Sequence, residues 1–146
     1  MHATRLAKPT PSLSAATVRP SQMYARVGVE TGVCGASPHQ LVTMLFIGFV
    51  DSVAQAKGAM RSGQVDVKCN AIGRAARIVD VGLKANLDLT GGGPLAQDLA
   101  DLYAYITLRL TQANLRNDAA ALDECLALMQ PVREAWASIA PQVDAP

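Results

Sequence analysis

Acid–base, nucleophilic and metal chemistry in this chain rests on two histidines, three cysteines and twelve carboxylates. His2 lies in a leading tail and His39 in the first turn of a helical segment. No HExxH, no paired ExxH and no neighbouring Cys–His pair occurs. A di-iron site in a helical bundle needs several inward Glu and His residues. Here the Glu residues are only Glu30, Glu124 and Glu134. Cys34, Cys69 and Cys125 are odd in number, widely spaced and without a CxxC, which argues against a disulfide scaffold or structural zinc. Cys69 and Cys125 fall at helical positions near inward stripes and are expected to be small buried hydrophobes. No catalytic residue, cofactor or metal is expected.

The remaining polar groups read the same way. Asp98 and Asp101 lie one helical turn apart, but nothing places them in the apolar cleft that acid–base carboxylates need. Gly91-Gly92-Gly93-Pro94 lacks the preceding strand and the Lys-Ser/Thr ending of a phosphate loop, so it is a connection between helices. Arg109, Arg116 and Arg133 are too separated for an anion clamp, and His39 reads as a surface residue. The net charge of +1 divides unevenly, with Arg5, Lys8, Arg19 and Arg26 in the first 26 residues and an acidic excess after them. With no basic stripe in the folded part, strong nucleic-acid binding is disfavoured.

These groups sit on elements announced by apolar spacing. Ser37-Pro38-His39-Gln40 begins the first helix, with Ser37 as N-cap and Gln40 completing a capping box. Leu41, Met44, Leu45, Phe49 and Val53 recur at helical spacing until Ser62-Gly63-Gln64. Asp66 is expected to cap a second helix with a stripe of Ile72, Ala75, Ala76, Val79, Leu83 and Leu87, ended by Gly91-Gly92-Gly93. Pro94 opens a third, with Leu95, Leu99, Leu102, Ile106 and Leu110 inward and Tyr103 at the border. Asn117 or Asp118 caps a fourth, carrying Leu122, Cys125, Met129, Val132, Trp136 and Ile139. Pro131 should bend it and Pro141 close the fold. The predicted class is all-α, an antiparallel four-helix bundle with a short N-terminal cap segment. Residues 1–22 read as a disordered tail, 23–140 as the bundle and 141–146 as a flexible C-terminus. Met23 is a candidate start, because the structured pattern begins there. No apolar run reaches the ~18 residues of a transmembrane helix, so no membrane insertion is expected.

One feature exceeds what folding requires. The first helix carries Val42, Phe46, Ile47 and Val50 beside its main stripe, the third adds Leu108, and the fourth adds Leu126 and Leu128. A surface helix needs one apolar face. The surplus points to a partner, with a guest helix in a groove as the mode, or else to a homodimer.

The order of several segments carries a resemblance. They run from Tyr24 and Val29-Glu30-Thr31 through Ala36-Ser37-Pro38-His39-Gln40-Leu41-Val42 to Met44-Leu45-Phe46-Ile47-Gly48. Gln55-Ala56-Lys57, Ile78-Val79-Asp80 and Gly92-Gly93-Pro94-Leu95-Ala96 follow. Leu102-Tyr103-Ala104-Tyr105, Ala113-Asn114-Leu115-Arg116-Asn117-Asp118 and Glu134-Ala135-Trp136 close the series. Over about residues 23–139 the chain resembles the flagellin-specific export chaperones of bacteria, the FliS family. It departs from the family at Ile47 and Ala104, where an acid is usual. The resemblance implies a cytoplasmic chaperone that binds the disordered C-terminal segment of flagellin, blocks premature polymerisation and serves flagellar type III export. Contact with the export apparatus is then indirect, and self-association or binding of a regulator stays open. The alternative is a homodimeric helical adaptor that does not bind flagellin. Ile47, Val50, Tyr103, Leu108 and Asn114 are the expected guest contacts. Tyr24, in the cap segment, is expected to cover the groove when no guest is bound.

Overall fold

The computed structural model describes residues 35–89 and 91–139. Tyr24, Cys34, the tail, Pro141 and the C-terminal residues lie outside them. Among the described residues there are four principal helices and no strand. They are α1 (Pro38–Ser62), α2 (Val65–Arg77), α3 (Gly93–Arg116) and α4 (Ala119–Ser138). Helix α1 packs on α2 and α4, and α3 packs on α2 and α4, so the four close into a ring with α1 and α3 at diagonal corners.

The helix ends follow from local chemistry. Ser37 Oγ accepts from Gln40 N–H at 3.1 Å while Gln40 Oε1 accepts from Ser37 N–H at 2.8 Å, the expected capping box. Gly63 ends α1 with φ +72°, and Gln64 N–H then donates back to Ala59 O at 2.9 Å. Asn117 takes the same left-handed role after α3 with φ +50°, and Asp118 N–H donates to Ala113 O at 3.1 Å. Asp118 itself caps α4, its Oδ1 accepting from Ala120 and Ala121 N–H at 3.0 and 3.3 Å. These two tight connections reverse the chain. Asp66 is not a cap: Gln64 holds that position without a side-chain bond, and Asp66 lies in the first turn, where its charge complements the helix dipole.

The second helical stretch is less regular than its apolar spacing suggested. After Arg77 it widens into a π-helical segment, Ile78–Leu83, then tightens into a 3-10 turn, Lys84–Asn86. The widened segment meets α1 through two glycines. A Cβ on Gly82 would sit 3.1 Å from Leu45 Cδ1, and one on Gly48 would sit 3.2 Å from Ile78 Cδ1. Each glycine therefore admits the other element's aliphatic side chain.

Phe49, Val53, Val79, Ile106, Leu110, Leu122, Cys125 and Met129 form the buried centre. Helix α1 has the length and apolar content to cross a membrane, but Phe46, Phe49 and Val53 are buried in the bundle.

Candidate functional site: an apolar pocket at one end of the bundle

Antiparallel order brings the starts of α1 and α3 to the same end as the finish of the second helical stretch and of α4. The side chains there do not fill the space between them and leave a pocket of about 510 Å³. Val42 and Phe46 of α1 and Leu83 of the π segment line it on one side. Leu95, Leu99 and Tyr103 of α3 face them, and the far end of α4 contributes Pro131, Val132, Ala135, Trp136, with Ile139 following. A cavity of this size and character suits apolar side chains of a ligand rather than a reaction. Leu95 is 69% exposed and Ile139 is exposed, so apolar surface continues outside the pocket.

The wall at Trp136 is fixed by a residue from α1. The imidazole of His39 stacks on the indole with ring centroids 4.7 Å apart and planes 5° from parallel. His39 Nε2–H donates to Trp136 O at 2.9 Å, and Trp136 Nε1–H donates to His39 O at 3.3 Å. His39 is buried, which corrects its reading as a surface residue. Its partner is 97 positions away and no local pattern could reveal it.

At the opposite end polar contacts tie the helices together, although Val65 and Leu115 are exposed there. Lys68 is buried and donates to Asn114 O at 2.9 Å and to Asn117 Oδ1 at 2.6 Å. Cys69 is exposed rather than part of a stripe, and its thiol donates to Asn114 Oδ1 at 3.4 Å. Cys125 is buried as expected. Desolvation pushes its thiol up to about 11, which leaves it inert. On the α3–α4 surface, Glu124 accepts from Tyr105 Oη at 2.6 Å and from Arg109 Nε at 2.8 Å. The Tyr105 bond, then the Arg109 bond, holds its carboxyl below the usual glutamate range.

The structure scatters the residues expected from sequence to meet a guest. Tyr103 is 3% exposed and belongs to core and pocket wall together, not to a border, and burial raises its phenol to about 12. Ile47 is 49% and Leu108 52% exposed, on diagonal helices. Val50 packs partly against the core. Asn114 lies at the polar end, eleven residues and so about 16 Å along α3 from Tyr103. Val42 and Phe46, read as surplus, are buried pocket lining, while Leu126 and Leu128 pack against the core. Leu95 and Ile139, read as inward, are exposed. Exposed apolar residues at the ends of α3 and α4 were the missed signal. Gly91 and Gly92 spend their N–H groups on Asp88 Oδ1 and O, at 2.8 and 2.7 Å, consistent with a plain connection. Among the described residues no group of His, Cys, Asp and Glu could hold a metal ion.

Comparison with known proteins agrees with a binding role. A family model described as "Flagellar protein FliS" matches residues 20–143. The flagellar secretion chaperone FliS of Salmonella typhimurium is 46% identical over 119 residues, 82% of this chain and 88% of that protein. The Escherichia coli protein of the same name is 41% identical over 116 residues, covering 80% and 85%. The flagellar secretion chaperone FliSB of Pseudomonas aeruginosa is 41% identical over 118 residues, covering 81% and 93%.

Proposed function

The chain belongs to the FliS family of flagellar secretion chaperones, and on that premise we propose that it binds the C-terminal segment of flagellin through the apolar end pocket. The observation that carries this reading is the pocket itself, lined almost wholly by apolar side chains and continued outward by Leu95 and Ile139. A guest segment that is disordered when free becomes an amphipathic helix as its aliphatic side chains enter the pocket. Ile47 on α1 and Leu108 on α3, exposed on diagonal helices, and half-buried Val50 are further contacts for a guest that wraps around the bundle. Masking this segment in the cytoplasm prevents premature filament assembly and keeps flagellin competent for type III export. Ordering the guest offsets part of the gain from burial, so a large contact stays releasable.

The chain enters α1 at the pocket end. The thirteen steps of chain from Tyr24 to Ser37 span about 45 Å at most, so the proposed cover by Tyr24 is within reach of the pocket.

The test is filament growth. Stoichiometric chain should suppress seeded polymerisation of flagellin, followed by light scattering. Leu95→Asp puts a carboxylate at the pocket rim on an exposed position, so the helices stay intact while suppression weakens by about tenfold or more. Undiminished suppression by a folded Leu95→Asp chain would remove the pocket from the account.

A further inference from the structure

His39 and Trp136 satisfy each other's polar groups while closing one wall of the pocket. The carbonyl of Trp136 is among the last four of α4, which have no partner within the helix itself. It receives His39 Nε2–H at 2.9 Å and Ile139 N–H at 3.2 Å. Even half-buried, an indole gains from an acceptor for its N–H. Trp136 finds one at 3.3 Å on His39 O, which also accepts from the Thr43 hydroxyl at 3.0 Å. The imidazole lies flat on the indole, so the ring is held by the stack and by both bonds. The wall it forms is apolar because its donor is engaged elsewhere.

We propose that His39 is a positioning residue for the guest pocket: it holds the Trp136 indole in the wall and keeps its N–H out of the cavity, so that the pocket takes aliphatic side chains. The proposal rests on the pocket being the flagellin site. Without the imidazole, the indole keeps its main-chain acceptor at His39 O but loses the stacked ring that fixes its plane, so it moves within the wall and the pocket loses its shape.

Trp136 is the chain's single tryptophan, so its fluorescence reports on this wall directly. Full-length wild type, His39→Ala and His39→Phe are compared by far-ultraviolet circular dichroism, tryptophan emission, acrylamide quenching, binding of an anilinonaphthalene sulfonate dye, and affinity for the C-terminal segment of flagellin. In His39→Ala, helicity should persist, emission should move to longer wavelength, and quenching should rise about twofold. Affinity for dye and flagellin segment should fall about tenfold, the size of effect expected at an interface anchor. His39→Phe keeps a stacked ring and should recover most of the emission and the affinity. A folded His39→Ala with unchanged emission, quenching and dye binding overturns the proposal. So does a loss of affinity in both variants with no change in emission. Should His39→Ala unfold, His39→Phe and His39→Gln carry the comparison, one keeping the ring and the other a donor. Then His39→Phe should stay near wild type and His39→Gln should lose emission and dye affinity, and wild-type behaviour of His39→Gln would overturn the proposal equally. If wild type takes the dye in a His39-dependent way but does not bind the flagellin segment, the clamp stands and the flagellin reading of the pocket falls.

Discussion

Lys68 shows how this bundle handles charge in its interior. Its ammonium is withdrawn from water, yet its recorded partners are a main-chain carbonyl and an amide oxygen at the end of α3. There it meets the negative end of the helix dipole and supplies a donor that the helix end lacks. Lys68→Met removes both bonds, but Asn114 is only half-buried and Asn117 is exposed, so their oxygens can turn to water and the loss in urea denaturation should be about 1 kcal/mol. Flagellin binding should be unchanged, because Lys68 lies at the end away from the pocket. Glu124 gives a second residue-level expectation. Its folded pKa is depressed chiefly by the Tyr105 hydroxyl and then by Arg109. The carboxylate therefore favours the fold above the ordinary glutamate range, and that contribution is lost as pH falls through the depressed value. Tyr105→Phe should move the Glu124 titration, followed by carboxyl NMR, back up toward the ordinary range.

Most helix ends were legible from local rules: Ser37 and Gln40 specify a capping box, Gly63 an end and Asp118 a cap. Asp66 does not cap, and Asn117, expected as an alternative cap of α4, instead takes the left-handed end of α3. Widening at Ile78–Leu83 was not legible, since Val79 and Leu83 face inward whether the turn is α or π. Its consequence is tertiary: Leu45 lies over Gly82 and Ile78 over Gly48. Gly82→Ala would gain helix propensity of about 1 kcal/mol in an unhindered helix. Here the new methyl meets Leu45 at 3.1 Å, so thermal melting should show no gain or a net loss. In a Leu45→Ala background, where that neighbour is gone, the same change should be stabilising. The pocket escaped the sequence for a related reason. Apolar periodicity gives Leu95 a face but cannot say that no neighbour covers that face at the end of the bundle. A lone histidine in a first turn reads as solvated until a tryptophan from the far end of the chain lies on it.

At the level of the whole molecule, four helices bury one centre, and among the described residues one end carries an apolar pocket. Surplus apolar residues signalled a partner, and the family is one of secretion chaperones; the proposal places the contact at the pocket end rather than at Asn114. The central claim is that flagellin's C-terminal segment folds into that end. Calorimetry of the full-length chain with that segment, at several temperatures, tests it most directly. The account predicts saturable one-to-one binding with a negative heat-capacity change, as apolar surface is buried and the guest orders, and marked weakening by Leu95→Asp. A folded chain that releases no binding heat at any temperature, or binds Leu95→Asp and wild type alike, would contradict it.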